Sequence, residues 1–342
     1  MGGAPTDADG GPGLRVGIIG TGAVGARTAR QLVTTDGVGA VVLRGGQRGR
    51  IDAVAHSMGD EATIDDGAPA DPLDVDVVVL SAPAGTHAPV ARAFLAAGTP
   101  VVSTSDAVED VRALLDLDIE ARERGVPVVV GAGFAPGLTC VLAVHAAATF
   151  DEVSEVHVAK SGTGGPACAR QHHRALGGVS VDWRDGWVER RSGSGRELCW
   201  FPDPISAQDC YRATLPDPYL LIGAFPGVHR ITSRVAATRR DRLTARLPML
   251  WPTHPEGGPG AVRVEVRGRR GTGRDIEVYG AMDRPAVAAG AVAAVSALWA
   301  ARGGLARAGA AGLAELVEPV PFLAELSRRG VRVAVFDGDR VR

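Results

Sequence analysis

The stretch Gly20-Thr21-Gly22-Ala23-Val24-Gly25 follows a short apolar run, residues 15–19, and precedes helix-like apolar spacing that continues to Val33. This order predicts a buried strand, a tight turn and a helix. A G-x-G-x-x-G pattern at such a turn is typical of a dinucleotide-binding loop. There the first glycine permits the turn, the second lets a pyrophosphate approach the backbone, and the third allows close helix–strand packing.

Strand and helix patterns continue to alternate beyond this loop. Short β-branched runs recur between stretches of helical spacing, at Val38–Leu43, Val75–Leu80, Val101–Val102 and Val126–Val130. Strands that alternate with helices of about 10–15 residues favour a doubly wound parallel sheet. We therefore predict an α/β protein with a Rossmann sheet.

The pattern changes near residue 149. Strand-like alternation at Glu152–Lys160 and Glu197–Phe201, and a hairpin pattern across 263–279, lack long intervening helices. This predicts a second α+β domain with a mostly antiparallel sheet. The expected organisation is a flexible tail (1–13), a dinucleotide-binding domain (14–148), a substrate domain (149–283) and return helices that pack on the first domain (284–342).

The composition excludes several classes of protein. Hydrophobic residues make up 45% and charged residues 22% of the 342 residues, and the net charge is −2. This balance gives no reason to expect nucleic acid or a membrane as partner, so we expect a small-molecule substrate. The four cysteines show no metal-ligand or disulfide spacing, and the first residues lack a basic segment followed by an apolar run, so we expect no secretion signal. We expect a cytoplasmic protein without a metal, with a homodimer as one possible assembly.

The choice of cofactor is predicted from residues 44–50, which follow the second strand and contain arginines but no carboxylate. An acidic residue there would bind the ribose of NAD, whereas arginine suits the 2′-phosphate of NADP. The sequence therefore favours NADP, with NAD as the alternative. The ends of two later strands should also line the cofactor crevice. The predicted cofactor-binding residues are Gly20, Thr21, Gly22, Ala23, Val24, Gly25, Arg44, Arg48, Ser81, Ala82, Pro83, His87 and Ser103.

Three stretches carry a resemblance to known families: Gly20–Gly25, Ser81–Val90 and Gly131–Leu138. Together they resemble saccharopine dehydrogenase-like and diaminopimelate dehydrogenase-like oxidoreductases. The resemblance implies NAD(P)-dependent interconversion of an amine and an imine or keto compound, on an amino-acid-like substrate bearing a carboxylate. It also implies hydride transfer across a cleft between the domains, with Phe134 at the substrate. Where that group has an aspartate in its linker, this chain has Ala135.

The densest group of functional side chains begins at Lys160, the only lysine of the chain. Lysine and histidine can exchange protons near neutral pH, so Lys160, His172 and His173 are predicted to be catalytic. Adjacent helical residues point about 100° apart, so one histidine at most should face a substrate. Arg170 and Arg174 share a helix face and could bind a substrate carboxylate. Similar residues occur in another order in dihydrodipicolinate reductases, a weaker resemblance.

Two alternatives remain open from the sequence. One is a non-catalytic NADP(H)-binding sensor or partner-binding protein that keeps the glycine loop. The other is a sugar oxidoreductase of the Gfo/Idh type, because the stretch from Pro83 to His87 also occurs there. Ser103-Thr104-Ser105 stands where that family has Glu-Lys-Pro, which removes the lysine used in sugar oxidation.

Overall fold

The computed structural model describes residues 13–249 and 254–336, so most of the predicted flexible tail lies outside the described residues. The chain divides into two compact units. Unit 1 comprises residues 1–133 and 286–317, and unit 2 comprises residues 134–285 and 318–342. Among the described residues, no helix is long and apolar enough to cross a membrane.

Unit 1 is built on a parallel sheet that has seven strands within the described residues, in the order β15-β6-β5-β4-β1-β2-β3. The central strand β4 is buried over its whole length, because helices cover both faces of such a sheet. The strands are β1 (Leu14–Ile19), β2 (Val38–Arg44), β3 (Ala62–Asp65), β4 (Val77–Leu80), β5 (Val101–Ser103), β6 (Pro127–Val129) and β15 (Gly309–Ala311). The doubly wound parallel sheet predicted from the sequence is confirmed.

The helices of unit 1 follow the strands with short connections. They are α1 (Ala23–Val33), α2 (Arg48–His56), α3 (His87–Ala96), α4 (Val108–Leu115), α5 (Asp118–Glu123), α10 (Pro285–Ala301) and α11 (Leu313–Leu316). Helices α4 and α5 follow each other closely, with a break at residues 116–117. In α10, Gly290 lies against α1 so closely that a Cβ atom would come within 2.6 Å of the Cβ of Arg27.

Unit 2 contains a mixed sheet that has nine strands within the described residues. The main path is β10-β11-β12-β7-β13-β14-β16, with β8 beside β12 and β9 beside β8. All pairs are antiparallel except β7 with β12. The strands are β7 (Glu152–Ser161), β8 (Val179–Arg184), β9 (Trp187–Arg191), β10 (Glu197–Trp200), β11 (Ala207–Arg212), β12 (Arg230–Ala236), β13 (Gly260–Arg270), β14 (Gly273–Asp283) and β16 (Val333–Val335).

Five helices lie in the described part of unit 2: α6 (Leu138–Ala147), α7 (Pro166–Ala175), α8 (Asp217–Leu221), α9 (Arg239–Thr244) and α12 (Pro319–Arg328). The division differs from the expected boundaries at two places. Helix α6 belongs to unit 2 because it packs on β13, β14 and β7. Helix α12 packs on α6, so the last segment joins unit 2 and not the first domain.

Candidate functional site

The glycine loop between β1 and α1 has little room for side chains at two of its three glycines. Gly20 has a φ of +101°, and a Cβ atom there would lie 2.7 Å from the carbonyl carbon of Ser81. A Cβ atom on Gly25 would collide with the carbonyl oxygen of Gly20. Gly22 differs, because a Cβ atom there would meet no atom within 4 Å. Gly20 and Gly25 are therefore required by the fold, whereas Gly22 borders open space.

That open space lies at the N-terminus of α1, an 11-residue helix in which Ala23 and Val24 are the first residues. Gly22 provides no side-chain cap, and the first turn contains no acidic residue. The hydroxyl oxygen of Thr21 is buried and has no hydrogen-bond partner in the described structure. First-turn N–H groups and an unused hydroxyl suit a phosphate, since a helix N-terminus carries partial positive charge. These residues fit the pyrophosphate of a dinucleotide.

A buried histidine, His87, holds the loop after β4 through hydrogen bonds. The Nε2 of His87 donates to the carbonyl oxygen of Ala82 at 2.9 Å, and its Nδ1 accepts from the Ser103 hydroxyl at 2.9 Å. Burial lowers the pKa of His87, so the imidazole is neutral. His87 and Ser103 thus support the loop from the interior. Ala82 and Ser81 are partly exposed and Pro83 is exposed, so these residues can reach a ligand.

The sequence reasoning missed Asp110, a buried carboxylate in the first turn of α4. It accepts hydrogen bonds from the Gly85 N–H at 2.9 Å and from the Ser105 hydroxyl at 2.8 Å. A buried carboxylate that receives such donors fixes the backbone that supplies them. Asp110 therefore sets the shape of the loop between β4 and α3, although it lies 25 residues from Gly85 in sequence.

Arg44 is not placed to bind a 2′-phosphate, which corrects the prediction from the sequence. Its side chain is 1% exposed, and its Nε donates to Asp65 at 2.7 Å. Its terminal nitrogens donate to the carbonyl oxygens of Ala68, Asp71 and Pro72 at 3.1, 2.6 and 3.1 Å. These bonds occupy most of the five N–H donors of a guanidinium. Arg44 instead holds the loop after β3.

Arg48 remains available at the surface. Its side chain is 64% exposed and forms ion pairs with Asp52 at 3.1 Å and with Asp66. Exposed pairs of this kind contribute little to stability and exchange readily. Among the two arginines predicted to bind a 2′-phosphate, only Arg48 can turn toward a ligand.

Lys160 lies in a buried polar cluster of unit 2. Its side chain comes from β7, it is 8% exposed, and its Nζ donates to the carbonyl oxygen of Ala135 at 3.3 Å. Its charge acts on Asp217 in α8, which is fully buried. The Asp217 carboxylate accepts from Thr139 at 2.9 Å and from Ser233 at 3.1 Å. We call Lys160, Asp217, Thr139 and Ser233 the Lys160 cluster.

Burial raises the pKa of Asp217, and the charge of Lys160 and the two hydroxyl groups oppose that rise. Desolvation therefore dominates in this cluster. Buried ionisable groups such as Lys160 and Asp217 are candidates for proton transfer. Before folding, Asp217 is marked only by its position between two prolines, in Pro216-Asp217-Pro218.

The structure assigns the two histidines of α7 to other contacts. His172 donates from Nε2 to the carbonyl oxygen of Ala236 at 3.2 Å, and His173 donates to that of Thr244 at 2.8 Å. These bonds join α7 to the end of β12 and to the end of α9. The described contacts do not bring either histidine to the Lys160 cluster.

The remaining predicted substrate residues lie in two environments. Arg170 and Arg174 are exposed on α7, on one face of the helix as their spacing indicates. Phe134 is buried, next to the Ala135 carbonyl that binds Lys160. Across residues 13–249 and 254–336, no three His, Cys, Asp or Glu side chains are grouped so as to hold a metal ion.

A family model matches most of the first segment of unit 1. Residues 15–132 match the family model described as the semialdehyde dehydrogenase NAD-binding domain. Unit 1 is an NAD(P)-binding domain. Inositol 2-dehydrogenase 1 of Saccharopolyspora erythraea is 38% identical over 96 residues, which are 26% of this chain and 27% of that protein. The match with this curated relative thus spans about a quarter of its length.

Two solved structures share the fold over nearly the whole chain. Saccharopine dehydrogenase (L-Glu forming) of Saccharomyces cerevisiae has a TM-score of 0.70 at 16% identity, covering 95% of this chain and 100% of that one. The C. glutamicum DAP dehydrogenase has a TM-score of 0.51 at 17% identity, covering 92% and 98%. The resemblance predicted from the sequence is confirmed for the fold.

Proposed function

We propose that the protein is an NAD(P)-dependent oxidoreductase that interconverts an amine and an imine or keto compound. The observation that carries this proposal is the buried Lys160, whose Nζ donates to the Ala135 carbonyl oxygen and whose charge acts on Asp217, in a chain whose other unit is an NAD(P)-binding domain. Reduction of an imine or carbonyl needs a hydride and a proton, so a cofactor and an acid are both required.

The residues divide this work between the two units. The N–H groups that follow Gly22 and the hydroxyl of Thr21 would hold the pyrophosphate, and the bound nicotinamide would supply or accept the hydride. Lys160 would give its proton to the reacting nitrogen or oxygen, and would take one back in the reverse direction. The exposed Arg170 and Arg174 would bind a substrate carboxylate.

Replacement of Lys160 by arginine tests the proton transfer. Arginine keeps the positive charge but cannot release a proton in proteins. Lys160→Arg should lower kcat at least ~10²-fold while the affinity for NADPH stays unchanged. The activity is followed as NADPH oxidation with 2-keto acids and ammonium. Turnover near that of the wild type would show that Lys160 is not the proton donor.

Replacement of Gly22 by alanine tests dinucleotide binding. The new methyl group would occupy the open space but touch no protein atom. Gly22→Ala should therefore keep its Tm and lose about 100-fold in NADPH affinity, or roughly 2.8 kcal/mol. Gly258→Ala is the matched control, because a Cβ atom at Gly258 also meets nothing. Unchanged NADPH affinity in Gly22→Ala would exclude the glycine loop as the binding site.

A second candidate is oxidation of a polyol, which the local match with inositol 2-dehydrogenase 1 favours. Lys160 would then act as a base toward a hydroxyl group. The two candidates differ in their substrates. NADP⁺ reduction with amino acids but not with inositols supports the amine reaction, and the opposite result supports the polyol reaction.

A further inference from the structure

A row of four charged side chains runs from strand to strand across the sheet of unit 2. Arg184 of β8 is opposite Arg230 of β12, and Arg230 is opposite Glu155 of β7. Glu155 is in turn opposite Arg267 of β13. Side chains of directly opposite residues lie on one face of a sheet, about 5 Å apart. We call these four residues the arginine row, in which three guanidinium groups share one carboxylate.

The arginine row lies on the sheet face that is opposite to the Lys160 cluster. Because side chains alternate along β12, Arg230 points away from the face of Ser233, which binds Asp217 of α8. The side chains of Arg230 and Arg267 are 30% and 44% exposed, and that of Arg184 is partly exposed. A ligand can therefore reach the row from solvent.

The guanidinium groups of Arg184 and Arg230 find few acceptors in the protein. Among the described residues, neither side chain donates a hydrogen bond, and the Nε atom of each is enclosed without a partner. Arg230 has an ion pair with Glu155 at 3.6 Å, and in the same part of the chain Arg184 has none. Each guanidinium carries five N–H donors, and like charges directly opposite each other repel.

The carboxylates near the arginine row are engaged by other residues. Glu155 accepts a hydrogen bond from His157 at 2.7 Å and also lies 3.8 Å from Arg267. Two further carboxylates, on β8 and in the turn that follows it, have partners elsewhere: Asp182 pairs with Arg212 at 3.4 Å, and Asp185 pairs with His229 at 2.7 Å. The positive charge at the β8 end of the row is therefore not balanced by the described residues.

We propose that Arg184 and Arg230 bind a phosphate group, either free or carried by a small molecule. The arginine row has three positive charges against one negative charge, so a dianion balances it. A phosphate group presents several acceptor oxygens and can receive paired N–H bonds from two guanidinium groups, whereas one carboxylate matches one guanidinium. This site belongs to unit 2 and uses no residue of the glycine loop or of the Lys160 cluster.

Calorimetric titration with inorganic phosphate and with phenyl phosphate, at constant ionic strength, tests the site. Arg184→Gln and Arg230→Gln should each lower the affinity for phosphate at least ~10-fold, because charge-assisted hydrogen bonds are lost. Both variants should keep the Tm of the wild type in phosphate-free buffer, since neither side chain donates a hydrogen bond within the described structure. Binding of phenyl phosphate as well would support a phosphate-bearing small molecule, and binding of inorganic phosphate alone would support the free anion.

Arg196→Gln is the matched control, because Arg196 is an exposed arginine of unit 2 that already pairs with Asp209 at 2.8 Å. It should leave the affinity for phosphate unchanged. Gly22→Ala identifies any phosphate that binds at the glycine loop. Binding that is lost in Gly22→Ala but kept in Arg184→Gln would overturn the proposal. So would equal weakening in Arg184→Gln and Arg196→Gln, because that result indicates attraction to net charge alone.

Discussion

Arg44 of unit 1 and Lys160 of unit 2 are both buried cations near the carboxyl end of a strand, and each lies near an aspartate. The pKa values of the two aspartates are shifted in opposite directions. The hydrogen bond from Arg44 holds the pKa of Asp65 below its usual value, whereas burial raises the pKa of Asp217. Asp65 is partly exposed, and Asp217 is not exposed at all. Arg44 donates to Asp65 and to three backbone carbonyl oxygens, whereas the Lys160 Nζ donates to the Ala135 carbonyl oxygen and its charge acts on a fully buried carboxyl.

The largest effect is expected for Arg44→Ala, which removes the guanidinium from Asp65 and three carbonyl oxygens. Loss of one partner from a buried charged group should lower the free energy of unfolding by about 3–5 kcal/mol. Denaturant unfolding at neutral pH measures it. Arg48→Ala is the control and should change stability by less than about 0.5 kcal/mol. A loss below about 1 kcal/mol in Arg44→Ala would show that the hydrogen bonds of Arg44 contribute little to the stability of unit 1.

Lys160→Met should have a smaller effect that depends on pH. The Asp217 carboxyl then loses the Lys160 charge, which opposes the rise of its pKa caused by burial. Its raised pKa contributes stability below the unfolded value near 3.8, and that contribution is lost as the pH rises. The cost of roughly 2–3 kcal/mol near pH 7 should therefore shrink as the pH falls to about 5. The cost of Arg44→Ala should not shrink in that range, since the pKa of Asp65 is lowered. Parallel pH profiles would remove the distinction between the two pairs.

Arg48→Ala tests whether the second predicted arginine binds the 2′-phosphate of NADPH. Since Arg44 is occupied, any contact with a 2′-phosphate should depend on the exposed Arg48. The variant should bind NADPH about ten-fold more weakly, or ~1.4 kcal/mol, with unchanged affinity for NADH. Fluorescence titration of both nucleotides measures the ratio. An equal loss for both would show that Arg48 does not select between them.

The smallest effect concerns His87, whose pKa is lowered by burial. The unfolded chain binds a proton more readily, so the stability from neutral His87 is present above about pH 6.5 and declines as the pH falls below it. His87→Gln should show a shallower decline of Tm between about pH 7 and 5 than the wild type. Burial also lowers the pKa of His157, but His157 is present in both proteins. The difference between the two slopes therefore reports His87 alone. Identical slopes would mean that His87 can take up a proton without loss of structure.

Much of the fold could be predicted from local patterns. The apolar run before Gly20, the β-branched run at β4 and the spacing of α1 each depend on residues that are neighbours in sequence. Edge strand β16 went unpredicted, because it is only three residues long.

The candidate site was harder to predict, because its contacts join distant residues. The partner of Arg44 is 21 residues away, and Thr139 lies 78 residues from Asp217. Charge and spacing suggested that Arg44 would face a ligand and that His172 or His173 would be catalytic. In the structure, Arg44 is enclosed by the loop after β3, and both histidines bind backbone carbonyls. Local sequence shows that a side chain can carry charge, but not which groups will surround it.

The sequence by itself determined the glycine loop, the alternation of strands and helices in unit 1, and the rarity of lysine that drew attention to Lys160. These depend on backbone geometry and residue type, which are local properties. Only the tertiary structure decided that Arg44 is enclosed by the loop after β3 and that the charge of Lys160 acts on the fully buried Asp217. That decision depends on desolvation and on hydrogen-bond partners, and both arise when strands and helices distant in sequence pack together.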